Sequence, residues 1–220
     1  MNRPRLRLPI LVLLAWIGAG SAFGLNLERI QQSFSARFGQ ISEIIFGEWR
    51  QMLSGASHGG ERDKVEQVND FFNRRIAFDD DFSLWGQRDY WATPLETLAQ
   101  GRGDCEDFSI AKYFSLLELG VPVNKLRLVY VRATQEIAGG GGSIQQAHMV
   151  LAYYPKPNAD PLVLDNLNKR ILPASQRHDL SPVFSFNSAG LWQGTGNQAS
   201  GSNLSRWQDL LARARAEGFQ

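Results

Sequence analysis

The stretch GDCEDF, residues 103–108, places the only cysteine of a 220-residue chain among acidic residues. Asp104 can cap a helix, because its side chain can accept hydrogen bonds from the first free backbone N–H groups. The pattern predicts a helix that begins at Asp104 or Cys105 and ends near Leu119, where Gly120 follows. Cys105 would then lie at a helix amino terminus, where the helix dipole favours a thiolate.

Helical patterns dominate the chain before this segment. Apolar residues three and four positions apart predict one amphipathic helix over roughly 26–53, broken or bent at Gly39 and Gly47. A second helix is predicted to end near Ile76. The glycine-rich residues 54–60 between the two helices are expected to form a linker.

The sequence TPLE at residues 93–96 is typical of a helix start. Thr93 can cap the helix, proline suits the first helical position, and Glu96 can reach back as in a capping box. This helix should end near Gly101, directly before the cysteine segment.

Strand patterns follow the cysteine helix. Residues 126–131, 147–154 and 162–164 are rich in branched and aromatic side chains and predict three strands. A terminal helix is expected over 204–216. Helices followed by a small antiparallel sheet define the α+β class.

The amino terminus has the features of an export signal. Arg3, Arg5 and Arg7 precede an apolar run over residues 8–17, and small residues follow. This order is typical of a cleaved secretory signal peptide, which we assign to residues 1–22. The alternative is an uncleaved membrane anchor, although the run is shorter than the roughly 20 residues that span a bilayer.

The remaining chain divides into three parts on composition and pattern. We expect a helical segment over 23–58, a main domain over 59–192, and a linker with a terminal helix over 193–220. The formal net charge is +1, and no basic stripe interleaves with aromatic residues. Nucleic acid is therefore not an expected partner.

Three residues could form a thiol-dependent catalytic site. A cysteine nucleophile needs a base that takes its proton, and the base needs a third group that orients it. Cys105 at a helix start, His148 within a predicted strand and Asp165 at the end of the next strand supply these groups. Adjacent antiparallel strands can place His148 and Asp165 side by side.

Each of these residues also has a structural explanation. Cys105 could be a small buried core residue, because free cysteine is commonly buried. His148 could be a hydrogen-bonded core histidine, and Asp165 could cap a turn together with Asn166. A single thiol in an exported chain has no intramolecular disulfide partner, which favours use of Cys105 in chemistry.

The GDCEDF block, AHMV at 147–150, LDN at 164–166 and WATPLETL at 91–98 together resemble the bacterial transglutaminase-like cysteine proteases. Within them, the sequence is similar to the periplasmic proteases that release large biofilm adhesins. The resemblance covers about residues 60–192. It implies a papain-like or transglutaminase-like core and cleavage near the amino terminus of an adhesin, at a pair of small residues. It also implies calcium dependence and sequestration by an inner-membrane receptor that senses a cyclic dinucleotide.

A physical argument also bears on calcium. Asp104, Glu106 and Asp107 surround the thiol, and uncompensated negative charge there would raise the pKa of Cys105. Calcium prefers carboxylate oxygens and would cancel this charge, so these three residues are the predicted metal ligands. Alternatively, Asp104 is only the helix cap and the other two complement the dipole. The acidic residues 79–81 are expected to be a solvated turn.

Other functions remain open at this point. A transglutaminase or a cell-wall peptidase could use the same three residues. A domain without activity could instead bind an adhesin or a receptor.

Overall fold

The computed structural model describes residues 20–39, 43–137, 139, 141–196, 199–200 and 204–219. Within them the helices are α1 (Gly20–Phe38), α2 (Glu43–Ala56), α3 (Glu61–Arg75), α4 (Asp81–Trp85), α5 (Pro94–Gln100), α6 (Cys105–Glu118) and α7 (Ser205–Glu217). The strands are β1 (Ala77–Phe78), β2 (Arg102–Gly103), β3 (Leu126–Glu136), β4 (Ser143–Tyr153), β5 (Leu162–Leu164), β6 (Leu172–Pro173), β7 (Leu180–Asn187), β8 (Gly190–Gln193) and β9 (Ala199–Ser200). Helices precede an antiparallel sheet, so the predicted α+β class is confirmed.

Most of the predicted signal peptide, residues 1–19, lies outside the described residues. Its last three residues, 20–22, form the start of α1. None of the helices in the described ranges is both long enough and apolar enough to span a membrane.

The main sheet is larger than the three strands that the sequence predicts. Its strand order is β6-β5-β4-β3-β7-β8-β9, and every neighbouring pair is antiparallel. Strand β7 pairs with β3 but contains Pro182, which weakened its strand pattern in the sequence. The pairing shifts in register beside Pro182, where the missing backbone N–H cannot contribute to the ladder.

The predicted long helix over 26–53 is two helices. Gly39 ends α1 with a φ of +68°, a left-handed conformation that favours glycine. Gly47 lies inside α2 and does not break it. Helix α2 continues to Ala56, so the loop before α3 is shorter than the linker predicted at 54–60.

Helix α6 lies between the other helices and the sheet. Most of its residues are buried, which explains why its apolar residues do not form a single stripe. On one side Trp49 Nε1 of α2 donates to Ser115 Oγ at 2.8 Å. On the other, Ser109 Oγ donates to the carbonyl oxygen of Met149 in β4 at 3.0 Å. The Ser109 bond holds the amino-terminal half of α6 against β4.

Helices from both ends of the chain complete the same core. Buried apolar side chains of α1 and α7 belong to the cluster that contains those of α6 and β4. Arg37 of α1 and Arg213 of α7 each form an ion pair with the buried Glu96, both at 2.9 Å. The segments on either side of the predicted main domain therefore pack directly against it.

The predicted capping box at the start of α5 is present and also holds α7. Thr93 Oγ1 accepts from the backbone N–H of Glu96 at 3.2 Å and donates to Glu217 Oε1 at 2.8 Å. We expect Thr93→Ala to lower the free energy of unfolding by about 1–2 kcal/mol, because α5 loses its cap and the buried Glu217 loses one of its two donors among the described residues. Urea denaturation measures this loss. The exposed Thr195→Ala is the control, and equal midpoints for both variants would contradict the expectation.

Candidate active site

Cys105 is the first residue of α6, as the sequence predicts. Asp104 caps this helix, and its Oδ1 accepts from the backbone N–H groups of Glu106 at 3.2 Å and Asp107 at 3.5 Å. The half-buried thiol of Cys105 donates to Glu106 Oε2 at 2.7 Å. Burial raises the pKa of Cys105, and the charges of Glu106 and Asp104 raise it further, against the effect of the helix terminus. In this state the thiol is held in its neutral form.

His148 and Asp165 form a buried pair. His148 lies in β4, and Asp165 directly follows β5, which pairs with β4. His148 Nε2 donates to Asp165 Oδ1 at 2.8 Å, and both residues are 1% exposed. Burial favours the neutral carboxyl, but hydrogen bonds from His148 and Arg177 hold the pKa of Asp165 well below its ordinary value. Because Nε2 faces Asp165, Nδ1 is the nitrogen left to accept a proton from a thiol.

The structure places Cys105 beside the strand that carries His148. Ser109, one turn after Cys105, bonds to Met149, the neighbour of His148. The backbone of Met149 also faces the thiol and partly opposes the effect of burial on its pKa. Within the described residues the thiol bonds to Glu106 and not to His148. A direct thiol–imidazole hydrogen bond therefore stays a prediction.

Three carboxylates meet at the start of α6, next to the residue that carries the thiol. Oxygen atoms of Asp81, Asp104 and Asp107 all lie within 4.8 Å of one another. Asp81 and Asp107 are 6% and 0% exposed, and Asp81 Oδ1 and Asp107 Oδ2 have no hydrogen-bond partner among the described residues. Two of the predicted ligands, Asp104 and Asp107, thus meet a residue that the sequence analysis missed. Glu106, the third, groups instead with Asp104 and the Cys105 thiol.

Asp81 is not part of a solvated turn. Asp80 caps α4, whereas Asp81 turns inward and accepts from the backbone N–H of Tyr90 at 2.5 Å. The run of three aspartates at 79–81 was the available signal, but the sequence does not show which of them meets Asp104 and Asp107.

The three carboxylates disfavour one another's charge. Burial and then Asp104 raise the pKa of Asp81 to about 7, and burial and then Glu106 raise that of Asp104 to about 7. Burial and then Asp104 raise the pKa of Asp107 well above its ordinary value. Converging oxygen ligands that lack a compensating charge fit a hard divalent cation such as calcium.

Gly103 leaves the space in which Asp107 lies. A Cβ atom at Gly103 would stand 2.7 Å from both Cβ and Oδ2 of Asp107. We therefore expect Gly103→Ala to displace Asp107 and weaken calcium binding by about tenfold or more, as changes around metal ligands commonly do. Isothermal titration calorimetry measures this affinity. Gly141→Ala, where no atom lies within 4 Å, is the control, and equal affinities would refute the expectation.

An open cleft of about 450 Å³ leads to Cys105. Its walls include Tyr130 and Ala147 from the sheet, and the exposed rings of Phe78 and Phe82 stand at its rim. These apolar side chains can contact a bound peptide, and Asp80, Asp89 and Glu106 make another part of the lining acidic.

A cysteine at a helix start, a neighbouring strand with a buried histidine–aspartate pair and an open cleft define a cysteine peptidase of transglutaminase-like fold. The sequence of residues 51–180 matches the family model of the bacterial transglutaminase-like cysteine proteinases. This chain belongs to that family and is a cysteine protease.

The chain is also similar to three solved structures of LapG from Legionella pneumophila. The calcium-bound structure is 37% identical, with 85% of this chain and 98% of that chain covered and a TM-score of 0.72. A second LapG structure and an EGTA-treated one are each 36% identical over 86% of this chain and 97% of theirs, with TM-scores of 0.71 and 0.72. No curated protein matches the chain.

Proposed function

We propose that this protease is exported to the periplasm and hydrolyses a peptide bond near the amino terminus of a large surface adhesin, which controls attachment in a biofilm. The observation that carries the catalytic part is the buried His148–Asp165 pair, whose histidine lies on the strand beside Cys105. Two similarities support an adhesin as the substrate. One is the similarity to LapG, and the other is the resemblance of the sequence motifs to those of the adhesin-releasing proteases. The basic and apolar amino terminus supports export.

The residues have distinct roles in this reaction. His148 Nδ1 takes the thiol proton as Cys105 Sγ attacks the substrate carbonyl carbon. The tetrahedral intermediate collapses to a thioester, and His148 gives the proton to the leaving amine. Water, activated by His148, then hydrolyses the thioester and restores the thiol. Asp165 keeps the Nε2–H tautomer of His148 in place throughout.

We further propose that calcium binds at Asp81, Asp104 and Asp107, with Glu106 as an additional candidate ligand. The calcium-bound LapG structure supports this choice of cation. Bound calcium supplies positive charge next to the thiol, which opposes the effect of the carboxylates on the pKa of Cys105. Glu106, no longer the strongest acceptor for the thiol proton, would leave this role to His148.

The proposal also includes a protein partner. A receptor of the inner membrane that senses a cyclic dinucleotide would sequester the protease and so prevent adhesin cleavage. The resemblance of the sequence to the adhesin-releasing proteases supports this partner.

One experiment tests the proposed function. The purified chain is incubated with amino-terminal fragments of candidate adhesins, with calcium or with EGTA, beside Cys105→Ala. We expect one calcium-dependent cleavage that the variant lacks. Cross-linking of a glutamine peptide to an amine without hydrolysis would show a transglutaminase, and release of fragments from purified peptidoglycan would show a cell-wall peptidase. Full biological effect of Cys105→Ala would show a binding module.

A further inference from the structure

The carboxylate of Asp165 is held at both of its oxygen atoms. Oδ1 accepts from His148 Nε2 at 2.8 Å and from the backbone N–H of Leu167 at 2.9 Å. Oδ2 accepts from Arg177 Nη2 at 2.7 Å. A carboxylate bound at only one oxygen can rotate, whereas one bound at both has a single orientation.

Arg177 is itself rigidly placed. Its side chain is 2% exposed, in the segment between a short 3-10 helix, Ala174–Gln176, and β7. Its Nε and Nη2 donate to the carboxylate of Asp179 at 2.9 and 2.7 Å. The guanidinium therefore bridges Asp165 and Asp179, and burial restricts its rotation.

Lys112, another buried basic residue near Asp165, has a different role. Lys112 of α6 donates to the side-chain oxygens of Asn69 at 3.0 Å and Asn73 at 2.8 Å. Asn73 in turn donates to the backbone carbonyl of Asp165 at 2.8 Å. Lys112 thus acts on the backbone of the loop, and Arg177 is the cation that binds the carboxylate.

We propose that Arg177 is a positioning residue of the protease, which fixes the Asp165 carboxylate so that Oδ1 faces His148 Nε2. The inference rests on the roles proposed above for His148 and Asp165. Without Arg177 the carboxylate can rotate away, and the other imidazole tautomer, with its proton on Nδ1, becomes accessible. In that tautomer the lone pair is on Nε2, so Nδ1 cannot take the thiol proton.

Two measurements that require no substrate test this role in calcium-loaded protein. The first is the rate of Cys105 alkylation by iodoacetamide. The second is ¹⁵N NMR of the three histidines at a pH where imidazoles are neutral, with His148 assigned through His148→Gln. We expect Arg177→Met to slow alkylation by about 10- to 100-fold, because misplacement of a supporting group by about 1 Å has effects of this size. The Nδ1–H tautomer of His148 should become populated.

Arg177→Lys keeps the charge and one donor, so we expect it to restore part of the alkylation rate. Arg170→Met, an exposed arginine before the same segment, is the matched control and should behave as wild type. If Arg177→Met does not fold, the tautomer of His148 in Arg177→Lys tests the proposal instead. In this variant too, part of His148 should carry its proton on Nδ1.

The outcomes separate this inference from the proposed function. Arg177→Met could show the alkylation rate and the His148 tautomer of the wild type while Asp165→Asn is alkylated slowly. This result would overturn the role of Arg177 alone. Unchanged alkylation in both variants would overturn the role of Asp165 and with it the proposed mechanism. Reduced melting temperature with an unchanged tautomer would show that Arg177 is only structural.

Discussion

His148→Gln is expected to lower the rate of peptide cleavage by about 10⁴-fold or more, because misorienting the base of such a triad costs about 10⁴-fold and removing it costs about 10⁶-fold. Glutamine can still accept a hydrogen bond but cannot take the thiol proton at neutral pH. His148 is buried against Asp165, so its position is shielded from bulk solvent. Cleavage of an adhesin fragment under single-turnover conditions measures the chemical step.

The chain offers a matched control for this variant. It contains three histidines, and His178 is exposed near the same end of the sheet. His178→Gln should cleave at the wild-type rate and show the same melting temperature. If His148→Gln cleaved as fast as His178→Gln, the assignment of the base would be wrong.

Asp81→Asn is expected to weaken calcium binding by about 100-fold, the upper end of the range for changes around a metal site. The substitution keeps the size of the side chain and removes one of three converging charges. At calcium concentrations that saturate the wild type, cleavage by Asp81→Asn should fall with calcium occupancy. Excess calcium should restore it.

Asp79→Asn is the control for this charge change. Asp79 pairs with Arg102 at the surface and lies outside the carboxylate cluster. Its variant should bind calcium as the wild type does. Titration calorimetry measures both affinities. Equal calcium affinity for Asp81→Asn and Asp79→Asn would contradict the proposed calcium site.

The cluster also predicts how stability depends on pH. Asp81 and Asp104 have pKa values raised to about 7 by burial and neighbouring charge, whereas unfolded aspartate titrates near pH 4. Between these values the folded protein binds more protons than the unfolded chain, so its stability falls as pH rises. We expect the melting temperature in EGTA to drop from pH 5 to pH 8. Calcium should reverse this trend, because protons and calcium compete for the same oxygens.

Some features could be predicted from residues close together in the chain. The capping box at 93–96 and the cap at Asp104 involve side chains and N–H groups within three residues of each other. The strands β3, β4 and β5 likewise contain runs of branched and aromatic residues that are adjacent in the chain. Such signals are local, and so the positions of these elements were predicted, although β3 extends to Glu136 and β4 begins at Ser143, beyond the predicted bounds.

Other features depend on residues that are far apart in sequence. Strand β7 was missed because Pro182 interrupts its pattern, and only pairing with β3 reveals it. Asp81 reaches Asp104 and Asp107 because α4 packs beside β2, and no spacing rule connects these residues. Gly103 is required by the side chain of Asp107, a steric condition that appears only in three dimensions.

The sequence by itself determined the α+β class, the helix that begins at Cys105 and the residue types of a cysteine protease, because periodicity, capping and motif spacing are local properties. The tertiary structure decided which aspartates meet at the start of α6 and which arginine holds Asp165. These contacts join residues brought together by the packing of α4, α6 and the sheet. Burial then gives them their effect, since the same charges at the surface would be screened by water.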